Sequence, residues 1–268
     1  MPAKKSPKKV AKKSAAKPAS KAKKTLKPAK KSAKPAKKPV KSAVKPSDKP
    51  SAGKLSEAER ISEIVRLLRR GYKNIKIALH YNTPLDLLIA VMLSAQCTDK
   101  QVNIVTETLF KKYRSARDYA EAYLPELEEE VKSTGFYHQK AKNIQETCRI
   151  LVEKHNGDVP HTMPELIELP GVARKTANIV LSSAFNINDG IAVDTHVGRL
   201  SQRMGFSKNS DPDKIEQDLM KLFPRANWNL ITYLLIEHGR AICKAPTPSC
   251  SECALSELCP KVGVLKSK

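Results

Sequence analysis

Four of the six cysteines fall in the last 26 residues, as Cys243, Cys250, Cys253 and Cys259, with the spacing C-x6-C-x2-C-x5-C. No other feature restricts this chain as tightly, because four thiolates so close together can wrap one metal centre, around which the backbone must then turn. The two-residue gap lets neighbouring sulfurs face the same ion or cluster. On thiolate chemistry alone an iron–sulfur cubane, a zinc ion and unligated thiols are all open, although zinc more often shows two matched C-x2-C pairs. A disulfide frame is disfavoured: the start, Met-Pro-Ala-Lys-Lys, has no apolar stretch behind its basic residues and does not read as a secretory signal. Cys97 and Cys148 lie in apolar helical patterns and read as core thiols.

Upstream of the cysteines the pattern is helical. Ser56 and Glu59 have the spacing of a capping box, ahead of Ile61, Ile64, Val65 and Leu68 at helical intervals. Thr83-Pro84 opens a second helix whose run Leu85 to Leu93 is apolar enough to be buried on most sides. Further helices are predicted at about 99–113, 125–133, 138–155, 163–168, 173–185, 194–204, 211–222 and 227–243, with Gly or Pro in most gaps. Ile191-Ala192-Val193 is too short to count as a strand, so the fold class is all-α. No run of about 18 apolar residues exists, which excludes a membrane-spanning helix.

The net charge of +22 is unevenly distributed. Residues 1–54 hold 20 Lys, no Arg and one Asp, hence +19, while the remaining residues carry 29 basic and 26 acidic side chains. This Lys/Ala/Pro-rich segment has 8 of the 18 Pro and no aromatic residue, so it is expected to be a disordered tail similar to those of linker histones. Its composition suits non-specific binding to phosphates, with a spacer as the plainer alternative.

Residues 169–178 read Leu-Pro-Gly-Val-Ala-Arg-Lys-Thr-Ala-Asn between a short helix and a longer one. Helix, tight Gly turn and helix start together gather free backbone N–H groups at a positive dipole end, an arrangement that holds a phosphate without touching a base. Lys175 falls in the first turn of the second helix, where the dipole and Arg174 both oppose its ammonium charge; taken alone it reads as a solvated surface lysine, with a nucleophilic amine as the functional alternative. Nineteen positions on, Val193-Asp194-Thr195-His196 puts Asp194 at an expected N-cap. A cap also fixes a carboxylate in place. Tight pairing of Asp194 with Lys175 would keep the amine protonated, so an aspartate acting across the substrate is the better reading.

Taken together, the helical body, Leu169–Ala177, Val193–His196 and the four-cysteine spacing resemble the endonuclease III family of helix-hairpin-helix DNA glycosylases, over about residues 55–262. Leu87–Asp99 and Gly135–Ala141 belong to the same likeness. The resemblance implies two helical domains flanking a cleft: a six-helix barrel at 79–188, containing the hairpin 169–178, and a cluster domain built from 55–78 plus 189–268. It implies a [4Fe–4S] cluster on Cys243, Cys250, Cys253 and Cys259, structural and DNA-docking in role. The implied activity is base excision repair: removal of oxidised pyrimidines from double-stranded DNA through a Schiff base on Lys175, assisted by Asp194, with β-elimination 3′ to the abasic site. Gln96 and Phe136 would fill the gap left by the extruded base. Leu169, Pro170, Gly171, Val172, Ala173, Arg174 and His196 would line the DNA. A monomeric protein inside the cell, DNA-associated and in a bacterial nucleoid rather than a nucleus, is the matching expectation.

Two features depart from the family pattern. Ala173 stands where a second hairpin glycine is common, and the loop Lys244–Ser249 holds a single basic residue. Adenine-mismatch glycosylases share the body without depending on a lysine at 175, and the oxidised-guanine branch generally lacks the cluster. A lapsed, non-catalytic nucleoid protein would not need Lys175 and Asp194, and an electron carrier would have no use for the hairpin.

Overall fold

A computed structural model describes residues 55–73 and 75–268. The expectations for the basic segment 1–54 lie outside the described residues. Among those described, eleven α-helices and no strand are present, and no helix is long and apolar enough to cross a membrane.

Local chemistry fixes most helix starts. Helix α1 (Glu57–Gly71) opens with the capping box expected of Ser56 and Glu59. Helix α2 (Pro84–Leu93) opens with a second box, in which Thr83 caps the Asp86 N–H and Asp86 reaches back to the Thr83 N–H. Helix α3 (Asp99–Lys112) is capped by Thr98. The five-residue helix α4 (Ala116–Ala120), boxed by Ser115 and Asp118, was not expected, because one turn and a half is too short to show a period. Helix α5 (Leu124–Val131) runs into a 3-10 turn (Lys132–Thr134), and α6 (Tyr137–Lys154) follows. Next come α7 (Met163–Ile167), α8 (Arg174–Ala184), α9 (Thr195–Arg203), α10 (Pro212–Leu222) and α11 (Trp228–Ala241). Ile191, Ala192 and Val193 are buried connecting chain.

The buried side chains form two clusters. The first surrounds α2, on which every residue from Leu87 to Leu93 is buried, packed mainly on α8 and α3 and drawing on Val102, Leu127, Ile144, Leu151 and Leu181. Burial of each such Leu or Ile contributes about 1.5–3 kcal/mol, which is why so apolar a helix takes the centre. The second cluster joins α1, α9, α10 and α11 through Ile64, Leu67, Leu200, Leu219 and Leu234. Polar contacts join the two: Arg174 to Glu216, the Ser183 hydroxyl to Tyr233 Oη at 3.0 Å, and Arg240 to Asp99 at 2.8 Å. Cys148 is a buried core thiol, whereas Cys97 is half-buried in the turn after α2 rather than inside a helix.

Candidate functional site

The hairpin joining α7 to α8 is anchored from beneath. Leu169 and Val172 are 2% and 5% exposed and seat the turn in the first core. The Thr147 hydroxyl, on α6, donates to the Pro170 carbonyl at 3.0 Å. Gly171 has φ +77°, a backbone conformation that favours glycine, and a Cβ there would also crowd the Asn143 side chain, 2.6 Å from its Nδ2. Pro170 is half-buried, and Gly171 and Ala173 face solvent. Ala173 has φ −84° and ψ 167°, extended backbone open to any residue, so its methyl group introduces no strain.

Helix α8 has no side-chain cap and no acid in its first turn. The N–H groups of Arg174, Lys175 and Thr176 thus have no intrahelical acceptor and converge at the positive dipole end. Helices α9 and α10, by contrast, are capped by Asp194 and Asp211. Lys175 is the second residue of α8, exposed, and no described residue hydrogen-bonds or ion-pairs with its ammonium group. Asp194 is the expected N-cap: its Oδ1 accepts from the His196 and Val197 N–H groups, each at 2.8 Å. That leaves Oδ2 available on a half-buried carboxylate whose orientation is fixed. His196, also half-buried, has Nδ1 3.1 Å from Arg199 Nη2; burial lowers its pKa below the usual imidazole range, Asp194 opposing and Arg199 and Arg240 reinforcing the effect.

Gln96 and Phe136 come together around one pocket of about 240 Å³, which Gly171 and Asn143 also line. Both residues are left-handed, with φ 53° and 49°, a conformation that costs a residue with a Cβ roughly 1–2 kcal/mol. Phe136 is 67% exposed, an aromatic ring held out in water beside the hairpin. Beneath them, the buried Lys140 ammonium donates to the Leu93 carbonyl at 2.9 Å and the Thr134 carbonyl at 2.8 Å, tying the ends of the two turns that carry Gln96 and Phe136.

The four C-terminal cysteines line a single pocket with Arg203, His238 and Leu255. Burial pushes the Cys253 thiol up to about 12 and raises Cys259 as well. Arg203 Nη1 lies 3.4 Å from Cys243 Sγ and also donates to the carbonyls of Cys243 and Lys244, while Arg199 binds the Cys243 carbonyl from the same helix. Among the described residues no three His, Cys, Asp or Glu side chains gather as a single metal ion would require. Four thiols lining one pocket are a donor set that thiolate-bound metal centres use.

Residues 89–225 match the HhH-GPD superfamily of base excision DNA repair proteins. The chain is 52% identical to endonuclease III of a Synechocystis strain over 205 residues, which is 76% of this chain and 94% of that one. It is 40% identical to endonuclease III of Escherichia coli K12, over 76% of this chain and 96% of that one. The chain belongs to the endonuclease III family. It is thereby a DNA glycosylase and abasic-site lyase of base excision repair. Among solved structures, a trapped endonuclease III–DNA covalent intermediate superposes with a TM-score of 0.73 at 43% identity, covering 77% of this chain and 97% of that one. A thermostable thymine-DNA glycosylase shares the fold at 23% identity and a TM-score of 0.66. Iron–sulfur centres are general in the endonuclease III family.

Three side chains at the site were not legible in the sequence. Lys140 reads there as one more surface lysine of an amphipathic helix, yet it is buried. Asn143 reads as a polar surface position, yet it closes over Gly171. Glu216, on α10, reads as a solvated acid, yet it is 3% exposed and holds Arg174. Arg174, expected to face phosphate, is therefore turned toward a carboxylate of this chain.

Proposed function

We propose that this base-excision glycosylase and lyase acts on oxidised pyrimidines and abasic sites in duplex DNA, with Lys175 as nucleophile and Asp194 as its carboxylate partner. The observation that carries the reading is the exposed, unpaired Lys175 at the uncapped start of α8, within the hairpin. The covalent intermediate trapped in a related endonuclease III supports a mechanism with an enzyme–DNA bond.

The target nucleotide leaves the stack, at a cost lowest for a damaged or missing base. Gln96 and Phe136, pre-set on strained turns, occupy the space it vacates, and the hairpin N–H groups hold a backbone phosphate. The neutral Lys175 amine bonds to C1′ while the base departs with the C1′–N electron pair and takes up a proton. Opening of the sugar and loss of the amine proton give the Schiff base. Asp194 stabilises the cationic sugar and relays protons through Oδ2, its Oδ1 being occupied by the cap. Loss of a C2′ proton then expels the 3′ phosphate, and water returns the lysine.

Cys243, Cys250, Cys253 and Cys259 would hold a [4Fe–4S] cluster, which when bound contributes structure to the loops around it. The thiols fit because they line one pocket, and Arg203 and Arg199 supply positive charge beside them. The two hydrophobic clusters support a division into 79–188 and 55–78 plus 189–268, working as a monomer. Residues 1–54 would bind DNA phosphates without sequence preference, in keeping with a DNA-associated place inside a bacterial cell.

Borohydride trapping on duplexes containing thymine glycol or an abasic site tests this reading. Wild type forms a covalent adduct and Lys175→Gln does not. No adduct with wild type, or an undiminished adduct with Lys175→Gln, overturns it.

A further inference from the structure

We propose that Glu216 is a positioning residue that sets the nucleophile-bearing helix against the chain segment carrying Asp194. The proposal rests on the assignment of Lys175 and Asp194 given above. Glu216 is 3% exposed on α10. Its Oε2 accepts from Arg174 Nε at 2.7 Å, and its Oε1 accepts from Arg174 Nη2 at 3.2 Å and from Asn178 Nδ2 at 2.8 Å. Arg174 and Asn178 are four residues apart on one face of α8, so a single carboxylate fixes both the rotation and the height of the helix. Lys175 directly follows Arg174 and moves with it.

The same carboxylate meets the approach to Asp194. A Cβ on Gly190 would lie 1.9 Å from Glu216 Oε1 and 2.7 Å from both amide atoms of Asn178. The chain four residues ahead of Asp194 therefore lies directly on the Glu216–Asn178 pair, with glycine required for space alone. Asn178 Oδ1 is buried without a hydrogen-bond partner, so the amide is retained for its donor while its acceptor is left unsatisfied. The arrangement also occupies the Arg174 guanidinium. Phosphate binding at the hairpin then falls to the backbone N–H groups, and Arg174 works as a latch between the two hydrophobic halves.

Glu216→Gln tests this in the full chain, since the amide keeps the shape but turns an N–H₂ toward the guanidinium donors. Borohydride trapping with excess enzyme gives the rate of Schiff-base formation on an abasic duplex; fluorescence anisotropy gives the affinity. The expected result is a trapping rate lower by about 10- to 100-fold, with the Kd changed by less than about threefold. A trapping rate within about twofold of wild type, or a rate and an affinity that fall together, overturns the proposal. Where Glu216→Gln does not fold, Arg174→Lys gives the same decision, because lysine keeps the charge but cannot bridge both carboxylate oxygens. A phosphate contact at Arg174 would instead tolerate lysine in the trapping rate and change only affinity and its salt dependence. If wild type itself is not trapped, the catalytic assignment fails, and this proposal with it; a trapped wild type beside an unaffected Glu216→Gln removes this proposal alone.

Discussion

Lys140 shows how much one buried charge can organise. Its ammonium has no carboxylate partner; it holds two carbonyls, those of Leu93 and Thr134, from turns 41 residues apart in the chain. Burial lowers its pKa from the ordinary lysine value. The unfolded chain then keeps this proton to higher pH than the folded one, so the stability contributed by the group rises as pH climbs toward about 10.4. Lys140→Met is expected to cost about 1–3 kcal/mol, because it leaves both carbonyls unpaired. In parallel urea titrations the gap between wild type and Lys140→Met should widen in favour of wild type from about pH 8 to about pH 10. A gap that narrows with pH would show that the ammonium form is the one the fold prefers.

At the scale of the element, the ends of α8 and α9 set the chemistry, and they differ in kind. The start of α8 leaves its N–H groups open, whereas that of α9 is closed by Asp194 Oδ1. The two duties of Asp194 can be separated. Asp194→Asn retains the accepting oxygen, so its Tm should match wild type while single-turnover cleavage of an abasic duplex falls by about 100-fold or more. Asp194→Ala should lose activity and, in addition, about 0.5–2 kcal/mol of stability with the cap. Equal Tm losses in both variants would mean that the capping geometry is not what the carboxylate provides. Most helix starts were legible in the sequence, because Ser56, Thr83 and Asp194 are local signals read within three or four residues. Helix α4 was not, being too short for periodicity, and neither were the left-handed turns at Gln96 and Phe136, since nothing in those residue types calls for positive φ. Cys97 reads as a helical core position in the sequence, whereas α2 ends at Leu93 and Cys97 lies in the turn that follows.

Across the whole molecule, charge and chemistry are held apart. The segment 1–54 carries +19, and the remainder, with the hairpin, Lys175 and the cysteines, is close to neutral. If 6–10 tail lysines meet phosphates, as proposed, the affinity of the full chain for undamaged duplex should fall by an extra factor of about 10³–10⁵ between about 50 and 200 mM salt, compared with a 55–268 fragment. Identical salt slopes would remove the tail from DNA binding. Trapping by the fragment at low salt should still match the full chain, because Lys175, Asp194 and their supports all lie within it.

By itself the sequence determined the helical class, the helix starts at Ser56, Thr83 and Asp194, the hairpin, the cysteine set and the family, because each is written in short-range spacing or in motifs whose order can be read along the chain. Only the tertiary structure decided which polar groups would be buried. Lys140, Asn143 and Glu216 are ordinary polar positions in one dimension, and Arg174 reads as a free cation until α10 brings a carboxylate to it from 42 residues away. A polar side chain acquires its role from the groups that close over it when water is removed, and those are chosen by packing rather than by neighbours in sequence.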